Sequence, residues 1–269
     1  MDDRKKQENM IPQIIHYTWF SGDPFPENIQ RCIDSWHKHM PDYEYMLWDY
    51  DKIKDINSIW LKECLEERKW AFAADFVRLY AVYHYGGIYL DTDVEVYQPL
   101  DLFLSNKMFI GREGVYYFLL ERQTNVFLTS HCFGAEQNHP YIKSCLDYYE
   151  DRHFITCSSQ NVPKHLRLHM LMMPYIQSEI AKGYGYNASI DAEFVQNLSD
   201  GICVYPKQYF GALSPNNQSY ICHLAFGSWR EEKWDDTIDY SFYYKIKWRF
   251  IHLCKKIARR FGYILVKIS

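Results

Sequence analysis

Residues 70–93 constrain this chain more than any other stretch. They read W-A-F-A-A-D-F-V-R-L-Y-A-V-Y-H-Y-G-G-I-Y-L-D-T-D. From Trp70 to Tyr85 the spacing is helical, and only Asp75, Arg78 and His84 interrupt an apolar surface. Such a helix has no solvent face and must sit inside the fold. Gly86-Gly87 stops it, because glycine accepts the left-handed conformation of a helix cap. Ile88-Tyr89-Leu90 then reads as a buried strand that runs into Asp91-Thr92-Asp93. In an extended segment, residues two apart share a face, so both carboxylates are expected side by side at a strand end.

The flanking pattern places this unit in an α/β fold. Residues 13–20 are rich in β-branched and aromatic types and read as a strand. Ile29, Ile33, Trp36 and Met40 recur on one helical face, and Tyr43–Trp48 reads as the next strand. A β-α-β opening builds a parallel sheet. Residues 58–85 read as helix in two pieces. Lys107–Gly111, Tyr116–Leu120, Val126–Phe133, Ile202–Tyr205 and Tyr220–Leu224 read as further strands, Tyr141–Tyr149 as a helix, and Val162–Lys182 as a longer helical stretch.

Two carboxylates held at a strand end suit a hard divalent cation, Mn²⁺ or Mg²⁺, which keeps water and takes substrate phosphates as further ligands. Asp75 and Arg78 lie one helical turn apart on a shared face. Burying that pair is costly, so it points to a task beyond stability. A guanidinium fork suits phosphate or carboxylate, and an aspartate accepts from hydroxyls.

The segment A-A-D-F-V-R-L-Y-A-V-Y-H-Y-G-G-I-Y-L-D-T-D resembles the signature of the DXD-containing sugar transferases of glycosyltransferase family 32. It is also similar to the catalytic domains of the large glucosylating toxins. Ile11–Phe20, Gly134–Pro140, His223 and Ser228-Trp229 resemble other family segments, so the likeness spans about residues 11–230. Met172-Met173-Pro174 departs from it, where many relatives carry a T-G-P-like turn. The resemblance implies a GT-A nucleotide-sugar-binding fold, with one central, mostly parallel sheet flanked by helices. It implies a metal-dependent, configuration-retaining transfer of a hexose or N-acetylhexosamine from a nucleotide sugar, UDP favoured, to a glycan or lipid-linked acceptor. In that reading Thr18 and Trp19 meet the nucleobase, and Asp75 and Arg78 hold donor sugar hydroxyls. Tyr89 lines the donor pocket, and Asp91 contacts ribose and sugar. Asp93, His223 and Asp91 surround the metal, while Ser228 and Trp229 close over the diphosphate. Asp91, Asp93, Asp75 and Arg78 form the catalytic set.

Two other classes share parts of the pattern. A catalytically inactive sugar-nucleotide-binding scaffold would keep the same motif. Asp91-Thr92-Asp93-Val94 after an apolar strand also resembles the start of a haloacid-dehalogenase-like phosphatase. That fold needs a later acidic pair after a strand, and Asp235-Asp236 sits instead in a polar stretch.

Charge is divided unevenly. Residues 243–269 hold eight lysines and arginines and no acid, so the first 242 residues carry 22 basic and 34 acidic groups, a net −12. Ile246, Phe250, Leu253, Ile257, Phe261, Ile264 and Ile268 share one helical face of that tail, with basic residues largely opposite. The expectation is a catalytic domain over 1–242 and a C-terminal basic amphipathic helix over 243–269, suited to an anionic membrane surface rather than to nucleic acid. Eight scattered cysteines and no secretory signal suggest reduced thiols and a cytoplasmic enzyme, peripheral on the inner face of a membrane.

Overall fold

The computed structural model describes residues 11–118, 123–159, 161, 167–189, 193–211 and 218–226, with backbone alone for 114–118 and 123–125. The expected basic helix over 243–269, and with it the domain boundary at 242, lies outside the described residues. The chain divides into two units, Met1–Tyr116 with Asn125–Phe226, and Tyr117–Thr124 with Gly227–Ser269. The first carries the features below.

The opening strand β1 (Ile14–Thr18) is followed by α1 (Glu27–His39) and β2 (Glu44–Trp48). Next come α2 (Tyr50–Ile53), α3 (Ile59–Glu66), α4 (Trp70–Tyr85), β3 (Gly87–Leu90) and β4 (Val94–Val96). The remainder is β5 (Met108–Phe118), β6 (Gln123–Ala135), α5 (Pro140–Asp147), α6 (Met173–Lys182), β7 (Gln196–Asn197), β8 (Ile202–Tyr205), α7 (Lys207–Phe210) and β9 (Ile221–His223). Asp49 and Ser58 cap α2 and α3, accepting from the Lys52 and Leu61 amides.

A seven-stranded sheet runs in the order β2-β1-β3-β6-β5-β8-β7, with β1 parallel to both β2 and β3, and β5 parallel to β8. β6 is antiparallel to β3, and β7 to β8, so the sheet is mixed and mostly parallel. A second, two-stranded sheet pairs β4 with β9 antiparallel. The expected single sheet is therefore supplemented, because the chain after Asp93 turns away to form its own ladder.

Alternation along the strands sends side chains to two cores. Tyr89, Met108, Ile110 and Phe133 join one cluster with Trp60, Phe72 and Val77. Ile88, Leu90, Phe109 and Cys132 join another with Ile29, Trp36 and Phe103. This is the doubly covered arrangement that parallel sheets require. α4 is buried along most of its length, as its composition demands, and Arg78 is among the buried residues.

Two segments differ from expectation. The stretch 162–182 is not one helix. α6 begins at Met173, with Pro174 in its first turn, while Leu168 bridges Ile155 in extended conformation. Met108–Phe118 forms one long strand where Lys107–Gly111 and Tyr116–Leu120 read as two, residues 119 and 120 lying outside the described residues.

The junction of α4 and β3 is tightly specified. His16 is fully buried on β1. Its Nε2–H donates to the Gly86 carbonyl at 2.7 Å, and its Nδ1 accepts from Trp48 Nε1 at 3.2 Å. Burial, only partly offset by the Gly86 carbonyl, pushes its pKa down to about 4, so the ring is a neutral pin at physiological pH. Gly87 follows with φ +99°, and a Cβ there would lie 2.7 Å from the Ile14 carbonyl oxygen. Gly22 also has positive φ, +74°, but nothing lies within 4 Å of its Cβ position. Gly87→Ala is expected to cost about 3 kcal/mol in urea unfolding, where strain and clash add, against about 1 kcal/mol for Gly22→Ala. Equal costs would show that the β1–β3 contact is not the constraint.

Candidate active site

β1 connects outward to β2, and the chain then returns to lay β3 on the other side of β1. The carboxyl ends of β1 and β3 flank this switch in strand order, the place where open α/β sheets bind ligands. His16 pairs with Tyr89, so Thr18 and Asp91 emerge next to each other. The Thr18 hydroxyl lies 3.2 Å from the Tyr89 hydroxyl, which in turn donates to Asp91 Oδ1 at 2.8 Å.

Asp91 and Asp93 do converge, but not as neighbours along a strand. β3 ends at Leu90, and Asp91–Val94 forms a turn in which the Val94 amide donates to the Asp91 carbonyl at 3.0 Å. The turn, rather than the two-residue period of a strand, brings the carboxylates together. The Asp91 amide donates to the His131 carbonyl at 2.9 Å, which fixes the start of the turn against β6.

Arg78 braces the first carboxylate from α4. Its Nη2 lies 3.2 Å from both Asp75 Oδ1 and Asp91 Oδ1. Its Nε donates to the Ala74 carbonyl at 3.2 Å and its Nη1 to the Ser130 carbonyl at 2.6 Å. The guanidinium also sits 4.6 Å from the Tyr89 ring centroid. Arg78 is 4% exposed, so it orients the other groups rather than standing open as a phosphate fork. Tyr89, fully buried, likewise contributes its hydroxyl and not a pocket wall.

Asp75 is the less compensated partner. Burial pushes its carboxyl up to about 6, with Asp91 adding to the rise, while Arg78 and the Met173 amide pull the other way. That amide opens α6, so Asp75 also receives the positive end of a helix.

Asp93 and His223 form the second half of the site. β9 places His223 opposite Val94, and the Leu224 amide donates to the Asp93 carbonyl at 3.0 Å. His223 Nε2 lies 3.3 Å from Asp93 Oδ1, and the Phe226 amide donates to Asp93 Oδ2 at 3.0 Å. Between them Ala225 takes φ +51°, a costly geometry for alanine that aims the Phe226 amide at the carboxylate. Burial would raise the Asp93 pKa, but the bond and charge of His223 outweigh it and hold the carboxyl low. The same carboxylate, with Asp91 and Glu113, raises His223 against the opposing effect of its burial.

One ligand atom from each of Asp91, Asp93 and His223 falls within 4.8 Å of the others. Two carboxylates and an imidazole make a mixed oxygen and nitrogen donor set that suits Mn²⁺ and tolerates Mg²⁺. Asp91 Oδ1 is taken by Tyr89 and Arg78, and Asp93 Oδ2 by Phe226, while Asp93 Oδ1 faces His223 Nε2 at 3.3 Å, a contact that an ion held by both residues would replace.

Two residues that sequence reasoning missed support this half. His131 stacks on His223 with centroids 4.2 Å apart, donates through Nε2 to the Phe210 carbonyl at 2.8 Å, and faces Glu113 at 3.5 Å. The available signal was a histidine within the β-branched and aromatic run 126–133, which has no place there without a partner. Trp19 sits beyond β1. Its Nε1 donates to the Asp23 carbonyl at 2.7 Å, and its ring lies 5.0 Å from Phe25. Ser228 and Trp229 lie outside the described residues.

Asp75 yields a pH signature. Its folded pKa is raised from 3.8 to about 6, so its contribution to stability is fully present below the unfolded value and is lost as pH rises through 6. Asp75→Asn should therefore gain on the wild type by about 2–3 kcal/mol between pH 4 and pH 7.5, from about 1.4 kcal/mol per unit. Urea unfolding at both values measures this, and a pH-independent difference would refute the raised pKa.

Comparison with known proteins gives the same direction. Residues 26–110 match the family model described as "Glycosyltransferase sugar-binding region containing DXD motif". The chain is 26% identical over 250 residues to inositol phosphoceramide mannosyltransferase 2 of Schizosaccharomyces pombe, covering 90% of this chain and 59% of that protein. It is 28% identical over 152 residues to mannosyl phosphorylinositol ceramide synthase SUR1 of Saccharomyces cerevisiae, covering 54% of this chain and 36% of that protein. The chain thus spans 59% and 36% of the length of these two relatives. Among solved structures, the PaToxG glycosyltransferase is similar, with a TM-score of 0.43 and 20% identity over 66% of this chain and 72% of that one. Over residues 26–110 this chain is similar to the sugar-binding region of the DXD-motif glycosyltransferases.

Proposed function

We propose that this protein is a metal-dependent glycosyltransferase. In this reading it moves a hexosyl or N-acetylhexosaminyl group from a nucleotide diphosphate sugar to a glycan or lipid-linked acceptor. The observation that carries the reading is the convergence of Asp91, Asp93 and His223 at the carboxyl ends of β1 and β3, beside the Arg78–Asp75 pair. Mn²⁺ or Mg²⁺ held by those three residues would supply positive charge against the departing diphosphate. Arg78 keeps Asp91 in place for that task, and the Phe226 amide does the same for Asp93. Asp75 presents an acceptor for a sugar hydroxyl at the edge of the site. Thr18 and Trp19, at the end of β1, stand where the nucleoside would lie.

The favoured stereochemistry is retention, with the acceptor attacking from the face of the leaving phosphate and that phosphate taking its proton. UDP is the favoured carrier. The relatives named mannosyltransferases support a mannosyl donor as the second arm, and their names support a phosphorylated lipid as acceptor class. Among the described residues no helix is long and apolar enough to cross a membrane. The basic segment 243–269 is proposed to hold the enzyme at an anionic membrane surface.

A donor-hydrolysis screen with UDP- and GDP-sugars in Mn²⁺ tests the reading, beside manganese binding followed by electron paramagnetic resonance. Turnover of one donor is expected, with a loss of about 100-fold or more in Asp93→Ala, the scale on which removing a charge-stabilising group acts. Unchanged turnover in that variant would remove the metal assignment. Nucleotide binding with no turnover of any donor would favour the inactive scaffold.

A further inference from the structure

His131 meets both halves of the Asp91, Asp93 and His223 cluster without belonging to its donor set. It lies on β6, where its backbone carbonyl accepts from the Asp91 amide at 2.9 Å and holds the turn that carries the first carboxylate. Its ring lies against His223, with centroids 4.2 Å apart and planes 24° from parallel. One residue thus reaches Asp91 through its main chain and His223 through its side chain. That ring is closely confined. His131 is 2% exposed. Its Nε2 donates to the Phe210 carbonyl at the end of α7, at 2.8 Å, and its Nδ1 faces Glu113 Oε1 on β5 at 3.5 Å. The backbone is fixed as well, because the Thr129 hydroxyl donates to the Cys132 carbonyl at 2.9 Å across the residue. A ring flanked at both nitrogens keeps one flat face in place, and His223 rests on it.

His223 depends on that face. Its Nε2 lies 3.3 Å from Asp93 Oδ1, and among the described residues no hydrogen bond holds its other ring nitrogen. A metal-ligating histidine is ordinarily oriented by a hydrogen bond from its second nitrogen to a carboxylate or carbonyl. Here the contact that sets the ring plane is the stack on His131. The imidazole is also the one donor that separates this cluster from an all-oxygen site. Mg²⁺ binds through oxygen and keeps its water, whereas a transition ion such as Mn²⁺ accepts a nitrogen ligand. An imidazole held toward the carboxylates favours Mn²⁺. An imidazole free to turn away leaves two carboxylates, for which Mg²⁺ competes on better terms.

We infer that His131 is a positioning residue that holds the His223 imidazole in its ligating orientation and thereby sets the preference of the site for Mn²⁺ over Mg²⁺. This rests on the glycosyltransferase reading for the presence of a cation, but ion binding alone measures it, without turnover.

The test uses the full chain with ¹⁵N-labelled histidine, titrated with Mn²⁺ alone and read by electron spin echo envelope modulation. The wild type is expected to show a directly bound imidazole nitrogen that His223→Ala removes. His131→Ala should bind Mn²⁺ about 10-fold or more weakly, the scale on which removing the support of a metal ligand acts, and its nitrogen modulation should fall as well. His131→Phe, which keeps a flat ring, should recover most of both, whereas His131→Leu, with bulk but no flat face, should not. The excess of Mg²⁺ that displaces half of the bound Mn²⁺ should fall in His131→Ala by about the same factor as the affinity. A loss of folded protein would lower the bound manganese without moving that ratio. If His131→Ala does not fold, the phenylalanine and leucine variants carry the comparison. Unchanged nitrogen modulation or an unchanged Mg²⁺ to Mn²⁺ ratio in His131→Ala, or equal behaviour of the phenylalanine and leucine variants, would overturn the positioning role. A wild type that binds no Mn²⁺, or binds it without nitrogen modulation, would overturn it together with His223 as a ligand. A wild type that shows the modulation yet hydrolyses no donor would remove the glycosyltransferase reading and leave the role of His131 standing.

Discussion

One buried guanidinium organises the site. Arg78 sits in the middle of an apolar helix, where an uncompensated charge would cost several kcal/mol. It is tolerated because its donors meet Ala74, Ser130, Asp75 and Asp91. Those partners belong to α4, to β6 and to the turn after β3, so one side chain registers three elements against each other. The same arrangement keeps two carboxylates close without mutual repulsion taking over. Asp91 gains a second donor from Tyr89 and Asp75 one from the Met173 amide, and burial, with Asp91 nearby, raises the Asp75 pKa in spite of them.

The strand order explains why the constellation lies where it does. Parallel β1 and β3 share their carboxyl edge, with β2 on the far side of β1 and β6 on the far side of β3. His16 and Gly87 fix that contact from within, by a neutral imidazole and by a backbone approach too close for any Cβ. The second sheet then brings β9 back beside β4, so that His223 closes on Asp93 from far along the chain.

Much of this was legible in the residues, and the gaps have physical causes. The buried character of α4 follows from its composition, and its charged pair stood out because ions have no cheap place on such a helix. The convergence of Asp91 and Asp93 was foreseen for the wrong reason, since a turn and not a strand unites them. Periodicity overextended the 162–182 helix because it cannot register that Ile155 pairs with Leu168 or that Asp75 binds the Met173 amide. His131 and Glu113 escaped notice because their roles rest on cross-strand and stacking contacts, which a linear pattern does not display.

The closing of the ring around Asp93 by residues 221–226 has a consequence for biosynthesis. The carboxylates at 91 and 93 emerge from the ribosome long before the imidazole at 223 and the amide at 226 that complete their surroundings. During that interval β4 has no partner strand, and the acidic turn has no histidine to balance it. Any fragment ending ahead of β9 would contain the recognisable motif without an assembled site. Maturation of this centre is therefore tied to synthesis of the chain through residue 226, which separates possession of the motif from competence to use it.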